Sequence, residues 1–249
     1  MIKKILAVTL AAIFCLAVFA SCGESGTSEG GTLVLGGIGP LTGGAASYGT
    51  GVMKGAQLAV NEINAAGGVN GIQLKLEFQD DEHDPEKAVL AYNSLMDKGM
   101  QILIGTVTSS PCVAVVAEAD KDNIFMITPS ASAVESIAAP NAFRVCFSDP
   151  NQGIGAAQYI KENDVAQKVA VIYDSSDVYS SGIYEKFAAK AKEIGLEIVT
   201  AQAFTSDSAT DFSVQIQKIK ESGADLLFLP IYYEEAALIL EQASTAGLD

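Results

Sequence analysis

The sequence predicts an α/β protein built of two Rossmann-like lobes with a ligand cleft between them. Three observations support this fold class. From residue 32 onward, strand-like and helix-like patterns alternate with few interruptions. Several strand-like segments are continuous apolar runs, as expected of parallel strands that are covered on both faces. The alternation restarts after residue 153, which indicates a second lobe with its own parallel sheet.

Lobe 1 is predicted over residues 32–146. Its helices are expected to begin near Pro85 and Pro111, because proline suits the first helical position, and to end at glycines. The predicted strands cover residues 33–37, 73–78, 101–104 and 125–128, and the predicted helices cover residues 48–66, 85–98 and 111–121. A strand that crosses between the lobes is expected near residues 143–149.

Lobe 2 is predicted over residues 147–249. Its strands are expected at residues 169–173, 197–201 and 225–229, and its helices at residues 152–163, 179–194, 212–222 and 234–246. The sequence stops just after the last of these helices, where a further strand is expected. We therefore expect lobe 2 to be incomplete.

The N-terminus is typical of an export signal. Two lysines precede the apolar residues 5–19, a stretch too short for a comfortable membrane span. Small residues directly before Cys22 resemble a lipobox, so we expect residues 1–21 to be a lipoprotein signal peptide and Cys22 to be lipidated. The Gly/Ser/Glu-rich residues 22–31 are expected to form a flexible tether.

Composition limits the classes of partner. The 249-residue chain has a formal net charge of −15, which excludes nucleic acid as a natural partner because phosphate backbones attract basic surfaces. Once Cys15 and Cys22 are assigned to the signal and its lipid, two cysteines remain. Cys112 and Cys146 could pair, but Cys112 lies in an apolar helical run, which favours two separate buried thiols.

The segment GGIGPLTGG, residues 36–44, follows an apolar strand and resembles a dinucleotide-binding loop. That fingerprint needs a third glycine where Thr42 stands, and an acidic residue at the end of a second strand about 20 positions further on. Pro40 also stiffens the turn, and Glu62 lies within a helix. These departures argue against a nucleotide, so we expect no cofactor.

Two hydroxyl-rich loops follow neighbouring strands. GTVTSSP covers residues 105–111 and TPSASA covers residues 128–133. Because the carboxyl ends of parallel strands share one edge of a sheet, Ser109, Ser130 and Ser132 are expected to converge. Neutral donors at a helix start suit a carboxylate. Simple capping by Ser110 is the alternative for the first loop.

Other candidate sites are weaker. DDEHDP, residues 80–85, matches no calcium or zinc spacing, so we expect no metal there and interpret it as an exposed loop whose Asp84 caps the next helix. No nucleophile elbow accompanies the single histidine, which argues against an enzyme. Tyr179 and Tyr232 follow strands of lobe 2 and are placed to pack against a ligand, although either could simply pack on its own loop.

Taken together, these motifs resemble the substrate-binding proteins of branched-chain amino acid ABC transporters, the leucine/isoleucine/valine-binding family with the type I periplasmic binding protein fold. The resemblance runs from about Leu33 to the last residue. It is carried by the hydroxyl loops and by segments such as LAVNEINAAGGVNG, FRVCFSDPNQG and VAVIYDSSDVYSSG. The hydroxyl loops and EINAAGGVNG are specific only in combination.

The resemblance implies a set of site residues. The family's contacts to the ligand carboxylate and amine fall on Ser109 and on the loop Ser130, Ala131 and Ser132, and its aromatic contacts fall on Tyr48, Tyr179 and Tyr232. Its first crossing between lobes, the hinge, falls near Asp149. Some members carry a disulfide where this chain has His83 and Thr108. The family's acid for the ligand ammonium would lie beyond Asp249, so the chain resembles a truncated member.

The implied function is an extracytoplasmic, lipid-anchored monomer that binds an amino acid or similar ligand and presents it to an ABC permease. A sensor domain of the same fold is one alternative, and a dinucleotide-binding enzyme is a weaker one. The family spans leucine-like amino acids, amides, urea and aromatic acids, so the sequence does not identify the ligand.

Overall fold

The computed structural model describes residues 31–248 and contains two parallel sheets, each flanked by helices. The predicted signal peptide, Cys22 and residues 22–30 of the predicted tether lie outside the described residues. The predicted α/β class with parallel sheets is confirmed, since every strand pair in both sheets is parallel. No helix within the described range is both long and apolar enough to cross a membrane.

Lobe 1 has a five-stranded sheet in the order β2-β1-β3-β4-β5. Its strands are β1 (Thr32–Gly39), β2 (Gln73–Asp80), β3 (Ile102–Gly105), β4 (Phe125–Thr128) and β5 (Ala142–Arg144). Its helices are α1 (Ala46–Ala65), α2 (Pro85–Asp97) and α3 (Ser109–Lys121), and a 3-10 turn covers Val134–Ile137.

Lobe 2 has a three-stranded sheet in the order β7-β6-β8. Its strands are β6 (Lys168–Asp174), β7 (Glu197–Phe204) and β8 (Leu226–Phe228). Its helices are α4 (Asp149–Glu162), α5 (Val178–Ile194), α6 (Ser213–Ser222) and α7 (Tyr233–Thr245), and a 3-10 turn covers Ser206–Ser208.

Strand β6 shows why a continuous apolar run forms a central strand. Val169, Ala170, Val171 and Ile172 are all completely buried. Alternate side chains point to opposite faces of a strand. Accordingly, Val169 and Val171 belong to one apolar cluster of lobe 2, and Ala170 and Ile172 belong to the other. The apolar pattern thus fixes this strand between two layers of helices.

Three of the differences from the predicted boundaries affect the region between the lobes. Helix α3 begins at Ser109, so Pro111 is its third residue, and Thr108 precedes the helix in an extended conformation. Helix α4 begins at Asp149, three residues before the predicted start. The predicted crossing strand is shorter and lies earlier, because β5 covers only Ala142–Arg144 and pairs with β4 inside lobe 1. The crossing to lobe 2 therefore runs through irregular chain at residues 145–148.

Candidate functional site

A cavity of about 260 Å³ lies between the lobes, at the carboxyl ends of strands from both sheets. This is the edge where open parallel sheets bind ligands. Its walls come from the loops after β3, β4 and β5, from the first turns of α1, α4 and α5, and from the loop before α7. The lining residues are Tyr48, Val107, Thr108, Ser109, Ser130, Ser132, Cys146, Phe147, Gln152, Tyr179 and Tyr232.

The two hydroxyl loops are hydrogen-bonded to each other at this cavity. The Ser109 Oγ accepts hydrogen bonds from the backbone N–H groups of Ser132 and Ala133, at 3.1 and 3.2 Å. The Ser130 hydroxyl donates to the carbonyl of Val107 at 2.6 Å. Buried Ala131 donates its N–H to the Thr128 Oγ1 at 3.0 Å. The predicted convergence of Ser109, Ser130 and Ser132 is therefore present, in loops that hydrogen bonds hold together.

Aromatic rings form the opposite wall and join the lobes. Tyr232 stacks on Tyr179 with ring centroids 4.9 Å apart and meets Tyr48 edge-on at 5.8 Å. His83 of lobe 1 also meets Tyr232 edge-on, at 4.9 Å. Burial raises the pKa of the Tyr232 phenol well above its usual value, so this ring stays neutral. All three predicted tyrosines therefore meet at one place.

Direct contacts close the cleft beside the cavity. The Ser110 hydroxyl of lobe 1 donates to the Asp177 Oδ1 of lobe 2 at 2.7 Å. The other carboxylate oxygen of Asp177 accepts the Ser180 N–H at 3.0 Å and so caps helix α5. The interpretation of Ser110 as a helix cap is thus wrong, because its hydroxyl bonds across the cleft instead.

Asp149, the predicted hinge residue, is the first residue of α4 and only 2% exposed. Its N–H donates to the carbonyl of Ser132 at 2.9 Å, which ties the start of lobe 2 to the second hydroxyl loop. Burial is the main cause that raises the pKa of its carboxyl to about 6, and nearby Asp177 raises it further, whereas the neighbouring Ser132 hydroxyl and Arg144 lower it. Within residues 31–248, neither of its carboxylate oxygens forms a hydrogen bond of good geometry, and both are closed off from solvent.

The DDEHDP loop is less exposed than predicted. The Asp84 carboxylate caps α2 by accepting the Lys87 N–H at 2.8 Å, as expected. Asp81, however, is completely buried. His83 forms a 2.9 Å hydrogen bond with the Thr108 hydroxyl, at the two positions where some family members are expected to carry a disulfide. The described residues contain no cluster of His, Cys, Asp or Glu suited to a metal ion.

The glycine-rich segment is held by an acid of the neighbouring strand. The Asp80 carboxylate accepts the Leu41 N–H at 2.7 Å and the Thr42 hydroxyl at 2.6 Å. Gly44 lies against lobe 2, where an added Cβ would come within 2.1 Å of the Glu234 Oε2. Gly44 therefore packs against the flexible end of the Glu234 side chain, which could move aside for a larger residue.

Sequence reasoning missed four lining residues: Val107, Cys146, Phe147 and Gln152. A fifth, Thr108, supplies one of the hydroxyls of the predicted GTVTSSP anion site. Cys146 and Phe147 follow the carboxyl end of β5, so the rule that found the serines would have found them had the strand been placed at residues 142–144. Cys112 and Cys146 are separate thiols, as predicted, but Cys146 is half-buried at the cavity and not in the core.

Two parallel-sheet lobes with a cavity between their strand ends define a type I periplasmic binding protein fold. A family model described as "Periplasmic binding protein" matches residues 32–249, so the chain belongs to this family. It is 34% identical over 218 residues to "Leu/Ile/Val-binding protein homolog 3" of Brucella melitensis, covering 87% of this chain and 59% of that protein. It is also 34% identical over 213 residues to the "Leucine-, isoleucine-, valine-, threonine-, and alanine-binding protein" of Pseudomonas aeruginosa, covering 85% of this chain and 57% of the relative.

Solved structures give the same family. The branched-chain amino acid substrate-binding protein LivJ from Streptococcus pneumoniae, in complex with isoleucine, is 33% identical with a TM-score of 0.80, covering 88% of this chain and 62% of that one. The leucine-binding protein LivK from Thermotoga maritima is 29% identical, also with a TM-score of 0.80, covering 86% and 61%. The chain thus spans about three-fifths of the length of these relatives.

Proposed function

We propose that this chain is an extracytoplasmic solute-binding protein that captures an amino acid, branched-chain or similar, and delivers it to an ABC permease. The observation that supports this most directly is the cavity itself. It joins a wall of hydroxyl and N–H groups from Ser109, Ser130 and Ser132 to a wall of aromatic rings. An amphipathic molecule with a carboxylate at one end and an aliphatic side chain at the other would satisfy both walls. Relatives that are named for leucine, isoleucine and valine are consistent with such a ligand.

The hydroxyl wall would hold the α-carboxylate without a formal positive charge. Ser109 is the first residue of α3, whose free N–H groups and dipole favour a negative group at this end. The Ser132 hydroxyl and the backbone of Ser130 complete the arrangement, whereas the N–H of Ala131 is already bonded to the Thr128 Oγ1. Hydrogen bonds to an ionised carboxylate are stronger than those between neutral groups, so several such donors can replace a cation.

The aromatic wall would enclose the ligand side chain. Tyr179 and Tyr232 belong to lobe 2, and Tyr48 belongs to lobe 1, so a ligand between them contacts both lobes. A ligand that binds the closed arrangement better than the open one drives closure. In this proposal Asp149 is the hinge residue, the protein acts as a monomer, and neither catalysis nor a cofactor is involved.

Calorimetry tests this function. Titration of the 249-residue chain with branched-chain amino acids, amides and small carboxylates should give saturable binding of at least one amino acid. The absence of heat with every member of the panel would contradict the proposal.

Tyr232→Ala should weaken binding by roughly 10- to 100-fold, because it removes the ring that covers the ligand and contacts both lobes. Tyr159→Ala is the matched control, since Tyr159 lies on α4 with 64% of its surface exposed. Calorimetry on both variants gives the affinities. Equal affinities for the two variants would show that Tyr232 does not contribute to ligand binding.

The membrane anchor is a separate part of the proposal. We infer that Cys22 carries the lipid and tethers the protein to the outer face of the membrane. Radiolabelled fatty acid should label the wild-type chain and Cys112→Ser, but not Cys22→Ser. Labelling of Cys22→Ser would place the lipid elsewhere.

A further inference from the structure

Arg144 is the only arginine in the sequence, and it is the last residue of β5, beside the second hydroxyl loop. Its guanidinium Nη1 donates to the carbonyls of Ser132 and Ala133, both at 2.9 Å. None of the ion pairs within residues 31–248 includes Arg144, so no carboxylate of this range neutralises it by direct contact. The positive charge of this side chain is therefore directed at the backbone of the loop that forms one wall of the cavity.

A chain of hydrogen bonds leads from Arg144 to the cavity. The Ser132 carbonyl, which accepts from Arg144, belongs to the same peptide group as the Ala133 N–H. That N–H donates to the Ser109 Oγ at 3.2 Å, and the Ser132 N–H donates to the same oxygen at 3.1 Å. Ser109 lines the cavity. A charge at one end of such a chain polarises the groups along it, because hydrogen bonds in a protein interior strengthen one another.

The Ser109 hydroxyl is left with its proton as the group that it can offer to a ligand. A serine hydroxyl has one O–H donor and two acceptor lone pairs. The two backbone N–H groups use both lone pairs, so Ser109 can act toward the cavity only as a donor. A carboxylate oxygen is its best partner, whereas a neutral carbonyl oxygen accepts a weaker hydrogen bond.

The charge of Arg144 acts on other groups at the cavity as well. Burial raises the pKa of the Cys146 thiol, which lines the cavity, and Arg144 counteracts this rise. The Asp149 carboxyl experiences the negative charges of Asp177 and Glu135 together with the positive charge of Arg144. Arg144 thus offsets carboxylates that would otherwise repel a bound anion.

We propose that Arg144 is a positioning residue for the anion site: through the Ser132–Ala133 peptide group and the Ser109 hydroxyl, its charge makes the cavity prefer a carboxylate over a neutral group of the same shape. This inference rests on the proposed function and assigns a role within it to a residue that does not line the cavity. None of the lining residues is positively charged, so Arg144 supplies from behind the wall what the wall itself lacks.

The experiment compares L-isoleucine with L-isoleucinamide, in which a neutral carboxamide replaces the carboxylate. Both compounds carry an ammonium group at about pH 6.5. Calorimetry on the 249-residue wild-type chain should show tighter binding of isoleucine. If the calorimetric panel identifies another amino acid as the ligand, that amino acid and its amide replace this pair.

Three variants separate charge from structural support. Arg144→Gln should lower the ratio of the two affinities by roughly 10-fold, because it removes a charge that favours only the carboxylate. Arg144→Lys keeps the charge and should retain most of the ratio, although lysine lacks the planar fork of arginine. Lys218→Gln, at an exposed position on α6, controls for the change in net charge and should leave the ratio unchanged.

Each outcome decides between the proposals. If the wild-type chain binds no amino acid, the proposed function fails, and this inference fails with it. If the wild-type chain binds the amino acid and its amide equally well, the function stands and the role of Arg144 is overturned. The same conclusion follows if Arg144→Gln weakens both ligands by one factor, since Arg144 then only supports the loop. A loss of the ratio in Arg144→Lys would also overturn the role, so the inference remains testable even if Arg144→Gln does not fold.

Discussion

Asp81, at the carboxyl end of β2, carries its carboxyl group in surroundings that disfavour charge. It is completely buried, and only one of its oxygens has a partner within the described residues, the His83 N–H at 2.9 Å. Burial is the main cause that raises its pKa from 3.8 to about 6, and Asp80 and Asp84 raise it further. The folded protein therefore binds more protons than the unfolded chain between these pH values. The stability that Asp81 contributes is full below pH 4 and is lost as the pH rises through 6.

Replacement of this carboxyl group by an amide should remove that pH dependence. The difference in unfolding free energy between Asp81→Asn and wild type should shift in favour of the variant by roughly 1–1.5 kcal/mol when the pH is raised from 5.0 to 7.5. Urea unfolding at the two pH values measures the difference. Asp97→Asn, at an exposed position of α2, is the control. An equal response of both variants to pH would show that Asp81 does not titrate in this range.

At the residue scale, sequence reasoning predicted groups that follow a strand and missed groups whose importance depends on burial. Ser109 and Tyr179 could be predicted because each lies just after a strand of a parallel sheet, where ligands bind. The burial of the Asp81 and Asp149 carboxyl groups could not be predicted, because it depends on side chains far away in the sequence. His83 is a further example, since its contact with Tyr232 joins residues of different lobes.

Among the elements, α4 and α5 are in close backbone contact at Gly153. An added Cβ there would lie 2.4 Å from the Ile183 carbonyl oxygen and 2.8 Å from the Phe187 nitrogen, both in the backbone of α5. Backbone atoms cannot move aside as a flexible side chain can. The absence of a side chain at this position therefore sets the spacing of the two helices.

Gly153→Ala should destabilise the protein by about 1–3 kcal/mol, as overpacking in a well-packed interior does. Gly155→Ala on the same helix is the matched control, since nothing lies within 4 Å of its added Cβ. That control should be neutral or stabilising by up to about 1 kcal/mol, because alanine favours the helix. Thermal unfolding of both variants measures the contrast. Similar melting temperatures would contradict the close packing.

The helix starts show how far a proline in the sequence can locate the first residue of a helix. Pro85 is the first residue of α2, as predicted, but Pro111 is the third residue of α3. The N–H groups of the first turn have no partner within the helix, so proline is tolerated at several positions there. The sequence therefore indicated that a helix begins nearby without fixing the residue.

For the whole molecule, the relative placement of the lobes rests on a small number of contacts. The hydrogen bond from Ser110 to Asp177 joins residues 67 positions apart, and no periodicity in the sequence predicts it. The two-lobed α/β fold could be predicted from the alternation of strand and helix patterns, because each sheet forms from neighbouring segments. The closed arrangement of the lobes could not be predicted from the sequence and is seen only in the structure.

Ser110→Ala should loosen the closed arrangement without removing a group that lines the cavity. We expect ligand dissociation to become about 3- to 10-fold faster, with a smaller change in the association rate, because the lost hydrogen bond forms only after the lobes meet. Stopped-flow fluorescence with a bound amino acid measures both rates. Ser94→Ala on α2 is the control. An unchanged dissociation rate would show that this bond does not stabilise the closed form.

The position of the single histidine has a practical consequence. The His83 imidazole lies edge-on to the Tyr232 ring at 4.9 Å, and that ring belongs to the opposite lobe. Aromatic ring currents shift the magnetic resonance of nearby protons, and only one imidazole contributes to that region of the spectrum. Separation of the lobes would shift the proton signals of the His83 imidazole and of the Tyr232 ring. Opening and closing can therefore be followed in solution without an added label.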